Sequence, residues 1–270
     1  MAVSPQHFTQ IDGLRVQFRS RGAGPLLLLL HGWGGSSLSF APVLPALEQR
    51  FRLLIPDLPG FGFSEPPAAA WGSADYARVA AALIESAGGE PVDVLGHSFG
   101  GKVAVALATQ YAELVNRLVL VAAPLVRQEA SAGTRSRGRA YARARAVARL
   151  LPPLRGLILR RAAERYGSQD YKAAGPLRPT LVRVVNEDWR PALPAVRAPV
   201  LLVYGENDAD VPLAVGEAAR DALPNAELVV IEGAGHFPFL DDSQRFSEAV
   251  LRFLAGTGGA VPLGSGPAAE

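Results

Sequence analysis

A chain of 270 residues that is 49% hydrophobic and 19% charged, with a net charge of +2, has the composition of a soluble globular protein with one sizeable core. It contains no cysteine, which excludes a disulfide framework and a thiolate metal site. The apolar run near its start, Leu26 to Leu30, is too short to span a bilayer, and no charged start, apolar stretch and small-residue cleavage site mark a secretory leader, so a cytoplasmic location is expected.

The first elements alternate. "HFTQIDGLRVQFRS" reads as two short strands joined at Asp12–Gly13, a dipeptide suited to a tight hairpin. From Pro25 the pattern changes to continuous apolar runs at Leu26–Leu30, Leu53–Ile55, Val92–Leu95, Leu118–Val121, Val200–Tyr204 and Leu228–Ile231. Strands with no polar face are buried on both sides, as in a largely parallel sheet. Between them lie helical patterns. Over Ala74 to Ala87, Tyr76, Val79, Ala80, Leu83 and Ile84 share one face, and Gly88–Gly89 stops the helix. This alternation predicts an α/β fold, a mostly parallel central sheet flanked by helices.

After Val121 the alternation breaks. From Leu125 to about Pro194 the chain is Arg/Ala-rich and helical in pattern, interrupted at Pro152–Pro153, Gly156, Gly175–Pro176 and Pro179. In "RAYARARAVARLL", Tyr141, Ala144, Ala148 and Leu151 fall on one side, Arg139 and Arg143 on the other. Between Leu125 and Arg183 there are thirteen arginines and one lysine against Glu129, Glu164 and Asp170, so a basic segment sits within an acidic remainder. The arginines read as solvated helix faces whose stems cover apolar area. No aromatic–basic interleaving points to nucleic acid. The expected organisation is a core of residues 1–124 and 195–255, a helical insertion at 125–194, and a flexible Gly/Pro/Ala-rich tail at 256–270.

The chemistry concentrates in "VDVLGHSFGGKV". An apolar strand runs into Gly96-His97-Ser98-Phe99-Gly100, and "KVAVALATQYA" follows as a helix. A G-x-S-x-G sequence between strand and helix is a nucleophile elbow, its glycines leaving room where the turn crowds its neighbours so that the serine stands clear. A serine needs a base to take its proton, and the base needs an orienting acid. Of four histidines, His7 lies in the first strand, His31 ends the third, and His97 adjoins the serine. His236, in the Gly-bracketed "IEGAGHFPF" after the last strand, is the expected base. "LLVYGENDADVP" ends a strand and presents two acids, Asp208 and Asp210. Asp57 reads as a turn residue before Pro59–Gly60, and Asp241 with Asp242 as a helix N-cap.

With "HGWGGSS", "DLPGFGFSEP", "GHSFGG" and the Asp208…His236 pair, the chain resembles the α/β-hydrolase superfamily, in a capped serine-esterase-like branch. The resemblance spans most of residues 5–255. It implies Asp208 as the acid, through Gly205, Asp208, Val211 and Pro212, and an oxyanion hole from the backbone N–H groups of Trp33 and Phe99. His31, His97 and Phe237 are pocket-lining candidates. A serine nucleophile excludes the relatives that need aspartate there. The implied activity is hydrolysis of small to medium carboxylic esters through an acyl-enzyme, without metal or organic cofactor, in a monomer or homodimer. On the same residues, relatives cleave lactones, amides or diketone C–C bonds or form peracids, and some members are ligand receptors.

Overall fold

The computed structural model describes residues 6–127 and 169–256, together with residues 140, 143, 146–149, 152–154, 156 and 161. The tail expected beyond Gly256 and most of the Arg/Ala helix expected around residues 139–151 lie outside them.

Eight strands form one sheet: β1 (Gln6–Ile11), β2 (Leu14–Arg21), β3 (Leu26–Leu30), β4 (Arg52–Pro56), β5 (Val92–His97), β6 (Val115–Val121), β7 (Val200–Gly205) and β8 (Ala226–Ile231). Their order is β1-β2-β4-β3-β5-β6-β7-β8. Strand β2 pairs antiparallel with both β1 and β4, and every other pairing is parallel, so β2 alone runs against the rest. The β1–β2 hairpin turns at Asp12 and Gly13, both at positive φ (52° and 76°), as the Asp–Gly dipeptide requires.

Period-two alternation divides the central strands between two cores. Leu28 and Leu30 pack with Tyr76, Val79, Leu83 and Val103 on one face. Leu27 and Leu29 pack with Phe40, Phe239, Phe246 and Val250 on the other. The described helices are α1 (Leu44–Leu47), α2 (Ser73–Ser86), α3 (Phe99–Gln110), α4 (Gln169–Ala173), α5 (Arg178–Val185), α6 (Leu213–Ala222), α7 (Pro238–Asp241) and α8 (Ser243–Leu254), of which α2 and α3 cover the first face and α7 and α8 the second. Strand β8, expected to be buried on both faces, is only half-buried, because it closes the sheet edge and has a neighbour on one side alone.

The parallel strands bring their C-terminal ends to one edge. There the chain leaves β3 into Gly32–Gly35, β5 into Ser98, β7 into Asp208 and β8 into His236. In open α/β sheets, the crevice beyond the carboxyl ends of the strands is where ligands bind. Helices α4 and α5 contribute Asp170, Leu181, Val184 and Val185 to a cavity at this edge. Among the described residues no helix is long and apolar enough to cross a membrane.

Candidate active site

The turn between β5 and α3 holds Ser98 at φ 50° and ψ −111°, a strained backbone for a residue with a side chain. Its neighbours show why glycine flanks it. A Cβ at Gly96 would meet the Gly100 carbonyl, one at Gly100 would meet the Leu30 carbonyl, and one at Gly101 would lie 2.5 Å from Ala123 Cβ. The elbow is pressed against β3 and the end of β6, and the Ser98 N–H donates to Val121 O at 2.8 Å.

Three side chains from three strand ends meet here. Ser98 Oγ lies 3.1 Å from His236 Nε2, and His236 Nδ1 lies 2.8 Å from Asp208 Oδ2. With a carboxylate accepting at Nδ1, the ring keeps its proton there and presents an Nε2 lone pair to the serine hydroxyl. Asp208 is buried. Burial pushes its carboxyl up, but the His236 hydrogen bond and the Val211 and Asp210 N–H groups outweigh that, and the net shift is below the ordinary carboxylate range. Both of those N–H groups donate to Asp208 Oδ1 at 2.8 Å. A hydroxyl, a neutral imidazole and an ionised carboxylate in this order can transfer a proton off the serine and stabilise the imidazolium that results.

Asp208, Asp210 and His236 also bring one ligand-type atom each within 4.8 Å of one another, the one such trio among the described residues. Its central carboxylate already accepts hydrogen bonds on both oxygens, so its donor set is engaged by the imidazole and the backbone.

The loop after β3 runs beside the elbow. Gly35 N–H closes a turn onto Gly32 O at 3.1 Å, and Gly34 sits at φ 72°. Phe99 opens α3, so its N–H is among the first-turn donors that have no intrahelical partner. Trp33 packs edge-on against Phe61 and Phe99, with ring centroids 4.9 and 5.6 Å apart.

Of the three pocket-lining candidates, His97 and Phe237 do line the cavity, which has a volume of about 740 Å³. His31 does not. It is fully buried, accepts the Leu58 N–H on Nε2 at 2.9 Å and donates from Nδ1 to Gly32 O at 2.8 Å. Burial lowers its pKa, so it is a neutral brace between two loops. Asp57 plays a similar part, its carboxylate accepting from the Ser37 N–H at 2.6 Å and the Phe63 N–H at 2.9 Å. His97 donates from Nε2 to the His236 carbonyl at 2.9 Å, and burial pushes its pKa down to about 3. Asp242 caps α8 by accepting the Arg245 N–H, whereas Asp241 instead accepts the Gly235 N–H at 2.8 Å and so steadies the loop before His236.

Other contributors were not singled out from sequence. Leu181, Val184, Val185 and Lys102 line the cavity. Only Lys102 carried a usable signal, as one charge inside the apolar run "GGKVAVALA".

A model of the alpha/beta hydrolase family matches residues 27–249. The pimeloyl-[acyl-carrier protein] methyl ester esterase of Vibrio vulnificus strain YJ016 is 30% identical over 253 residues, covering 88% of this chain and 97% of that protein. The 2-hydroxymuconate semialdehyde hydrolase of Pseudomonas putida is 31% identical over 264 residues, covering 90% and 92%. Among solved structures, a bacterial membrane phospholipase A superposes with a TM-score of 0.75 at 25% identity, over 93% of this chain and 86% of that one.

Proposed function

The chain belongs to the alpha/beta hydrolase family, and on that premise we propose that it is a serine hydrolase cleaving carboxylic esters of small to medium size through Ser98, His236 and Asp208. The observation that carries this reading is the continuous Ser98–His236–Asp208 hydrogen-bond chain at the floor of a cavity of about 740 Å³. Ser98 attacks the ester carbonyl while His236 takes its proton, then returns it to the leaving alcohol. The N–H groups of Phe99 and Trp33 receive the oxyanion, each contributing about 3–4 kcal/mol of transition-state stabilisation. Water, deprotonated by His236, clears the acyl-enzyme. The cavity wall of Leu181, Val184, Val185 and Phe237 suits an apolar acyl or alkyl group.

A C–C bond hydrolase on the same three residues is the second reading, supported by the likeness to the 2-hydroxymuconate semialdehyde hydrolase. A p-nitrophenyl ester series from acetate to octanoate, run on wild type and Ser98→Ala, tests the first. Multiple turnovers that fall by about 10⁵–10⁶ in Ser98→Ala are expected. Activity surviving in Ser98→Ala overturns the assignment of the nucleophile. Turnover of a vinylogous diketone with no ester turnover favours the second reading.

A further inference from the structure

Lys102 is one of two lysines in a chain with twenty-five arginines, and it is 3% exposed. It lies one helical turn beyond Ser98 on α3, where positions i and i+4 share a face. Its ammonium donates to Val184 O at 2.7 Å and to Glu187 O at 3.3 Å, and among the described residues no carboxylate forms an ion pair with it. Val184 is in the last turn of α5, at the negative end of the helix dipole, and its carbonyl also accepts the Glu187 N–H at 3.2 Å. Three donors on one nitrogen let a single ammonium reach both carbonyls from one point.

Glu187 makes the reciprocal contact. Its carboxylate accepts the Ser73 N–H at 2.8 Å and the Ser73 hydroxyl at 2.5 Å, at the N-terminus of α2, where the dipole is positive. Opposite charges thus tie the end of α5 to two core helices, one of them carrying the nucleophile. Between these ties and Thr180, whose hydroxyl accepts the Trp71 N–H at 3.2 Å, lie Leu181, Val184 and Val185, the residues of α5 that face the cavity.

We propose that Lys102 and Glu187 are positioning residues, a two-point latch that holds α5 over Ser98 and thereby sets the length of acyl chain the cavity accepts. The meaning given to the cavity rests on the ester-hydrolase reading, while the latch itself rests on the contacts. Burial pushes the Lys102 pKa down to about 8 although the nearby Glu187 and Asp188 carboxylates favour its charged form, so the ammonium is kept at this place against its own desolvation, as a positional role demands.

The test compares wild type, Lys102→Met and the milder Glu187→Gln in two measurements. Hydrogen exchange of peptides spanning residues 177–189 needs no turnover. The expected result is exchange at least about five-fold faster in both variants, with peptides of β5 unchanged. In the p-nitrophenyl series, the ratio of kcat/KM for octanoate over acetate is expected to shift by about ten-fold in Lys102→Met and in the same direction in Glu187→Gln. Unchanged exchange over 177–189 in Glu187→Gln overturns the latch, and so does equal loss at every chain length. A loss confined to esters with a carboxylate tail, such as p-nitrophenyl glutarate, overturns it in favour of Lys102 as a substrate anchor. Failure of the hydrolase reading is recognised separately, by activity persisting in Ser98→Ala.

Discussion

Asp210 supports Asp208 through its backbone and not through its carboxylate: the Asp210 N–H donates to Asp208 Oδ1 at 2.8 Å, and the Asp210 side chain is exposed. Two acids two residues apart therefore divide the work, Asp208 holding the imidazole through its buried carboxylate and Asp210, at the cavity wall, supporting Asp208 through its N–H. Asp208→Asn is expected to lower kcat by about 10⁴, because an amide in this place favours the wrong tautomer of His236. Asp210→Asn keeps the N–H and should change kcat by less than about five-fold. Steady-state kinetics on both variants check this, and a larger loss at Asp210 would reverse the assignment.

The elbow should tolerate no side chain at position 100. A Cβ there meets the carbonyls of Leu30 and His31, which belong to β3 and its loop and cannot step aside without moving the sheet. Gly100→Ala is expected to lower stability by about 1–3 kcal/mol, read as a drop in urea midpoint. It should also slow turnover by displacing the Phe99 N–H. A Gly34→Ala control has nothing within 4 Å of its new Cβ and tests only the strain of a positive φ.

Acid should destabilise the fold through its buried histidines. His97 has a folded pKa near 3 against an ordinary 6.5, so between those values the unfolded chain binds the extra proton and stability falls as pH falls. The loss is about 1.4 kcal/mol for each pH unit below 6.5. His31, also lowered by burial, adds in the same direction. Urea melts of wild type and His97→Gln from pH 7 to pH 4.5 measure the difference. The gap between the two proteins should shift in favour of the variant as pH drops, and a constant gap would refute it.

Much of this protein was legible in its sequence where local chemistry leaves little choice. Apolar runs with no polar face can only be strands covered on both sides, and those expected at Leu26–Leu30, Val92–Leu95, Leu118–Val121 and Val200–Tyr204 lie within β3, β5, β6 and β7. Gly96, Ser98 and Gly100 announce the elbow, since only glycine leaves space for the crossing backbones. Asp12–Gly13 announces the hairpin for the same reason of positive φ.

Other features depend on contacts between residues far apart in the chain. Nothing local tells that His31 is sealed beneath Leu58 while His97 reaches the cavity, because both end apolar strands and differ only in what packs above them. Nor does an N-cap pattern reveal that Asp241 turns back to Gly235. The grip of Lys102 on Val184 spans 82 residues, and that of Glu187 on Ser73 spans 114. Periodicity and turn chemistry act over a few residues and so are written in the sequence. Which loop covers which side chain, and where a buried charge finds its carbonyls, is decided only when the sheet brings those loops to one edge.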